Sequence, residues 1–298
     1  MQVTHFSDPG CPWAWSASPA FAVLRWRYGD QLQWRHVMIG LSETAEQYAR
    51  RGYTGERMAR NYRSFRWRGM PFATTPRERP HATWPMCRVV VAARRLAPER
   101  EWAVFRALQF AQFTTTLVLD DLDEIEKALA WVPDIDPSAL VAAAQEPETK
   151  ELFAADRALA RSAAGHPIEF QERSATTPDG DVRFTAPSLV FTAADGRSLE
   201  AGGFQPIEAY DVCIANLDTS LSRRPPADDV DEILAAFPDG LTTLEVAAIM
   251  AAHLQPLDRE AAEDALIGAV AAGAAERRPF GNDALWRPVR REAAALAA

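Results

Sequence analysis

FSDPGCPWAWSASP, running from Phe6 to Pro19, is the stretch on which the reading of this chain turns. Upstream, Gln2 to Ser7 alternates and is rich in β-forming residues, so a short strand leads into it. Asp8-Pro9-Gly10 makes a turn, and Pro12 pre-sets φ for the first turn of a helix. Trp13 to Tyr28 then carries Trp13, Ala17, Phe21 and Leu24 at helical spacing. Gly29-Asp30 closes that helix, and Leu32 to Ile39 (LQWRHVMI) reads as a second strand. The chain thus opens β-α-β, with Cys11 at the first strand-to-helix junction.

Cys-Pro-Trp starts like a redox motif, yet Ala14 stands where a second cysteine would sit. Three readings follow: a reactive thiol without a partner, a thiol with another task, or a small core residue. Position favours chemistry. The first amides of a helix are unpaired, and the macrodipole is positive there. Both favour thiolate, so the pKa of Cys11 is expected below the free value of about 8.5.

The totals narrow the function. A chain of 298 residues with 48% hydrophobic and 24% charged residues is globular and long enough for one large or several smaller domains. A net charge of −9 argues against a general nucleic-acid or anionic-membrane binder. Lys127 and Lys150 are the only lysines, which suggests a high-GC genome. Neither a basic-apolar leader nor a run approaching about 18 apolar residues occurs, so a cytoplasmic location is expected. Cys11, Cys87 and Cys213 are too few for a disulfide framework. The five histidines show no ligand spacing, so no metal is expected.

From Ser42 to about Gly165 the pattern is helical throughout, with helices expected at Thr83 to Leu96, Glu99 to Thr114, Asp120 to Ala130, Pro137 to Ala144 and Pro147 to Ala164. Strands return at Asp181 to Phe184 and Ser188 to Thr192, and Asp195-Gly196 turns the chain into Arg197 to Glu200. Gly202-Gly203 leads into a helix over Gln205 to Leu217. This order fits a thioredoxin-type α/β sandwich carrying a helical insertion. Thr185-Ala186-Pro187-Ser188 precedes a core strand, where a proline has either a turn role or a cis bond. In such a sheet that strand borders the thiol-bearing helix, and a cis proline leaves the Ala186 backbone free to pair with an extended thiol substrate.

Beyond a polar linker, Arg223 to Asp229, three helices (Val230 to Phe237, Thr243 to Ala252, Asp258 to Ala272) and a hairpin around Gly281-Asn282-Asp283 give the outline of a winged helix. Ala227 to Ala298 holds 13 acidic against 6 basic residues, and duplex DNA would repel that surface. Two roles remain for this tail: packing on the body, or pairing two chains into a homodimer. The final EAAALAA is expected to fray.

DPGCPWAW after the first strand, the helical insertion, TAPSLVF as a cis-proline loop and GGFQPIEAY opening the last body helix together resemble the DsbA-like branch of the thioredoxin superfamily. That branch also holds kappa-class glutathione transferases and 2-hydroxychromene-2-carboxylate isomerases. The resemblance covers about Met1 to Asn216 and is nearest to cytoplasmic actinobacterial members. It implies a thioredoxin-like domain over 1–40 and 166–222 with an insertion over 41–165, while the tail pattern separately gives a winged-helix-like domain over 228–292. It implies Cys11 as the catalytic group, and a thiol- or substrate-binding set of Pro12, Trp13, Ala186, Pro187, Gly203, Phe204 and Gln205. The partner would be a small thiol or disulfide, or a small electrophile, with glutathione or mycothiol as the low-molecular-weight thiol.

Three departures matter. Ala14 removes the internal dithiol cycle. Cys11 falls where the transferases and the isomerase carry a serine, and Phe204-Gln205-Pro206 replaces their polar glutathione anchor. The implied reactions are monothiol disulfide exchange, thiol transfer or thiol-assisted isomerisation; the alternative is a redox-inactive binding or regulatory protein that interacts through its tail. Cys87 is either a resolving thiol or a core residue, and Cys213 reads as core. Arg50 to Arg95 contains twelve arginines against two glutamates, either a wall for an anionic substrate or a solvated face balanced by Asp120 to Glu126. His5, on the strand feeding Cys11, either tunes the thiol or sits in the core or at a sheet edge.

Overall fold

The computed structural model describes residues 1–177 and 179–289. The expected fraying of EAAALAA and the last residues of the expected tail domain lie outside them. β1 (Gln2–Ser7) is followed by α1 (Pro12–Ser16), α2 (Ser18–Tyr28) and β2 (Gln33–Met38). The expected single helix over Trp13 to Tyr28 is two helices that meet at Ala17. Pro19 has no N–H to give to the carbonyl of Trp15, so the ladder breaks and restarts.

The insertion is helical, as its pattern indicates: α3 (Ala45–Arg50), α4 (Gly55–Phe65), α5 (Trp84–Leu96), α6 (Glu101–Thr114), α7 (Leu122–Leu129), α8 (Pro137–Ala143) and α9 (Pro147–Ala160). Val89 to Ala93 of α5 are all fully buried, so this helix is enclosed by its neighbours rather than laid on a surface.

α10 (Pro167–Phe170) and β3 (Ser174–Thr176) precede β4 (Val182–Phe184), β5 (Ser188–Thr192), β6 (Ser198–Gly202) and α11 (Ile207–Leu217). The main sheet has the order β2-β1-β5-β6, with β1 parallel to β2 and the other pairs antiparallel. β4 does not join it. Both edges of β5 are taken by β1 and β6, and β4 pairs instead with β3, a strand the sequence did not reveal. Alternation along β1 sends Val3 to a core with Phe21, Leu24, Phe191 and Tyr210, and Phe6 to the opposite face with Val37, Ile39 and Phe184. This sandwiched sheet with a helical insertion is the expected thioredoxin-like architecture. Among the described residues no helix is long and apolar enough to cross a membrane.

In the tail, α12 (Val230–Ala236), β7 (Leu241–Thr242), α13 (Thr243–Met250), α14 (Arg259–Ala271), β8 (Ala275–Phe280) and β9 (Asp283–Pro288) give the expected three helices and hairpin, plus one short strand in the order β7-β9-β8. The tail is packed on the body. Ala22, Val23 and Trp26 of α2 share one apolar cluster with Ile233, Val246 and Trp286. The expected linker is docked as well: Trp26 donates through Nε1 to the Pro225 carbonyl at 2.7 Å, and the Arg224 guanidinium lies 3.4 Å from the centre of that indole.

A buried ion pair ties three elements together. Glu245 on α13 closes a capping box with Thr242, accepts from Ser18 on α2 and meets Arg106 of α6 at 2.7 Å. Glu245 is 1% and Arg106 5% exposed, so removing the carboxylate strands a cation in the interior. Glu245→Ala should therefore cost about 3–5 kcal/mol in urea unfolding. A loss below about 1 kcal/mol would show that the tail does not depend on this tie.

Candidate active site

The segment before the thiol is fixed by Asp8, which the sequence showed only as part of a turn. Its buried carboxylate accepts from the amides of Gly10 (2.8 Å) and Leu41 (2.8 Å), from the Thr83 hydroxyl (2.8 Å) and from the Cys87 thiol (3.4 Å). Its carbonyl also accepts from the Cys11 amide at 3.0 Å. Gly10 is required there, because a Cβ would come within 2.5 Å of Thr83 Cγ2. Burial raises the Asp8 pKa, and the hydrogen bonds pull it back in part.

Cys11 caps α1 and is 5% exposed. The Ala186–Pro187 bond is cis, one of the two roles open to that proline. The antiparallel pairing of Phe6 with Ser188 brings the loop beside the thiol, and Cys11 Sγ donates to the Ala186 carbonyl at 3.1 Å. Two residues 175 positions apart are thus joined by one hydrogen bond.

The expected thiolate is not what this geometry favours. Burial pushes the Cys11 thiol up to about 12, and the Asp8 charge adds to the rise. The amides of Ala14 and Trp13 pull in the opposite direction, as a helix start should. They are outweighed because a helix of five residues offers little field, whereas a nearly enclosed sulfur loses its hydration. The resting group is a protonated thiol acting as a donor.

An aromatic cluster forms around Trp13, two residues along the chain from Cys11. Trp13, 43% exposed, meets Phe65 with ring centroids 5.1 Å apart and Phe204 at 6.1 Å. The Arg68 guanidinium sits 4.4 Å from the Trp13 ring centre and 4.3 Å from that of Phe204. Trp13, Phe204 and Arg68 line, with Thr185, Ala186 and Gly203, a cleft of about 420 Å³. Gln205 lies on a neighbouring cavity and donates to the Gly202 carbonyl at 2.8 Å. Pro12 and Pro187 shape the backbone around the sulfur and do not line the cleft.

The remaining sequence candidates separate cleanly. Cys87 is fully buried and bound to Asp8, which raises its pKa further above that set by burial, so it has the core character weighed for it. Cys213 is half-buried and packs against the edge of the core that holds Tyr210 and Ile214. His5 is a buried core histidine: its Nδ1 lies 3.2 Å from Nδ1 of His36, its ring is 4.8 Å from Phe21, and burial lowers its pKa to about 3. The arginine-rich segment divides between both of its readings. Arg79 pairs with Asp120, Arg94 with Glu101 and Asp156, and Arg95 with Glu146 and Glu148. Arg77 is buried against the carbonyls of Leu117 and Thr115. Arg68 faces the aromatic cleft.

No protein-family model matches the sequence, and no curated protein is similar to it at a significant level. Solved structures do match. A probable DsbA oxidoreductase from Streptomyces coelicolor superposes with a TM-score of 0.54 at 18% identity, over 76% of this chain and 93% of that one. The cytosolic disulfide reductase DsbM from Pseudomonas aeruginosa, solved with GSH, gives 0.50 at 17%, over 74% and 99%. The fold is therefore that of DsbA-like, thioredoxin-fold proteins.

The thiol's environment has a direct readout. With a pKa of about 12, Cys11 alkylation by iodoacetamide should rise about tenfold per pH unit from pH 7 to pH 10 without levelling, because the rate follows the thiolate fraction. Peptide mapping separates it from Cys87 and Cys213. A plateau at or below pH 9 would contradict the burial account.

Proposed function

We propose that this chain is a thiol-disulfide oxidoreductase that works through one cysteine and a low-molecular-weight thiol. The observation that carries the reading is the 3.1 Å contact from Cys11 Sγ to the carbonyl before a cis proline, within a DsbA-like fold. A substrate disulfide enters the aromatic cleft and takes over the Ala186 carbonyl's surroundings, releasing the Cys11 hydrogen bond. Cys11 sulfur then attacks one sulfur of the disulfide, its proton passes to the departing sulfur, and a mixed disulfide remains on Cys11. A small thiol such as glutathione or mycothiol attacks that bond and regenerates Cys11, giving a new disulfide that carries the small thiol. A second such thiol completes net reduction. With Ala14 in place of a second cysteine, resolution comes from outside the chain. A cytoplasmic setting suits three free cysteines and a reducing thiol pool.

One observation favours a second reading. The protonated, donating state of Cys11 is what a serine would offer at this position, so the thiol could hydrogen-bond to the sulfur of a bound thiol in transfer or isomerisation. Two variants separate the readings in a disulfide-reduction assay driven by a small thiol. The exchange reading expects Cys11→Ser and Cys11→Ala to lose activity equally, by more than about 100-fold. Activity retained in Cys11→Ser and lost in Cys11→Ala would establish the donor role instead. Full activity in both would leave the binding-protein alternative.

A further inference from the structure

A second cleft, of about 700 Å³, lies between the β2–α3 segment, α9 and the β3–β4 hairpin. Arg50, Arg51, Arg157, Arg161 and Arg183 line it, against two acids, Glu43 and Asp179. Among the described residues none of the five forms an ion pair. Elsewhere among those residues Arg27, Arg79, Arg94, Arg95, Arg100 and Arg106 each meet a carboxylate within 3 Å, whereas Arg25, Arg68 and Arg77, like these five, form no ion pair. Arg157, Arg161 and Arg183 are half-buried. What they touch is neutral. Arg183 donates to the Phe184 carbonyl at 2.9 Å, Arg161 reaches the Ile39 carbonyl at 3.4 Å, and Arg157 lies 4.0 Å from the Trp84 ring centre. The buried Nε of Arg157 has no hydrogen-bond partner.

Gathering cations without counter-charges costs free energy in both desolvation and mutual repulsion. The protein shows that cost: burial lowers the pKa values of Arg157 and Arg183, the Arg161 charge adds to the fall on each, and the Asp8 charge opposes it on Arg183. In a chain of net charge −9, such a cluster is not a by-product of composition. Planar guanidinium forks match carboxylate and phosphate oxygens in pairs.

The cleft is coupled to the thiol. Its wall residue Leu41 donates to the Asp8 carboxylate, which holds the Cys11 loop, and the charge of Arg183, another wall residue, favours the Cys11 thiolate. We propose that this cleft holds the anionic end of the substrate whose sulfur meets Cys11: a small molecule bearing two or more negative charges, as carboxylates or phosphate. This rests on the exchange reading for its link to Cys11, although the anion site itself does not.

Calorimetric titration of the full chain at low salt tests it, with inorganic pyrophosphate as the phosphate probe and tricarballylate as the carboxylate probe. At least one should bind with one-to-one stoichiometry, and the one that does names the chemistry. Arg157→Gln and Arg161→Gln should each weaken that binding about tenfold or more. Arg50→Gln, on the exposed rim where folding is not at risk, should weaken it measurably. Cys11→Ser should bind as tightly as the unmodified chain, so lost exchange activity with intact binding counts against the Cys11 chemistry alone. The rate of Cys11 modification by anionic iodoacetate relative to neutral iodoacetamide should also fall in Arg161→Gln. No binding of either probe, or binding indifferent to all three arginine substitutions, would overturn the site. An unchanged reagent ratio would overturn its link to the thiol.

Discussion

One buried carboxylate organises the Cys11 end of the molecule. Asp8 gathers the amide of Gly10, the amide of Leu41 after β2, the hydroxyl of Thr83 at the start of α5 and the thiol of Cys87. Those donors come from the first sheet crossover and from the insertion, so one side chain registers the two parts against each other. Everything later in the site inherits that register. The Cys11 loop cannot move without breaking hydrogen bonds to the buried Asp8.

Burial explains why the thiol is protonated at rest, and the same carboxylate adds to it. A helix start lowers a cysteine pKa where the sulfur meets both solvent and the free amides. Here the sulfur is enclosed and Asp8 lies close, so desolvation and like charge prevail over the amides of Trp13 and Ala14. The hydrogen bond to Ala186 keeps the thiol in its donating form and occupies the backbone acceptor that an incoming sulfur chain would use. Substrate entry and thiol activation are therefore one event in this account.

Much of the fold was legible because its signals are local. The alternation of Gln2–Ser7, the Asp-Pro-Gly turn, the enclosed apolar run of α5 and the Asp195-Gly196 hairpin each state their structure within ten residues. The thiol, the cis-proline loop and Trp13 were legible for the same reason. Long-range facts were not. Nothing near Asp8 says that Thr83 and Leu41 will reach it, and nothing in Val182–Phe184 says that β5 has no free edge for it. The break at Ala17 was written in Pro19 but masked by continuous helical spacing. The docking of Arg223–Asp229 on Trp26 and the meeting of Arg157, Arg161 and Arg183 with Arg50 likewise need the folded chain, since the charges come from three separate segments.

The central claim is that Cys11 alone carries a covalent sulfur exchange. Incubation with a small symmetrical disulfide at pH 8, followed by intact-mass measurement and peptide mapping, tests it most directly. The account predicts one adduct, on Cys11, that forms slowly because the thiol is mostly protonated and that disappears when the matching free thiol is added. An adduct confined to half-buried Cys213, or none at all, would contradict it.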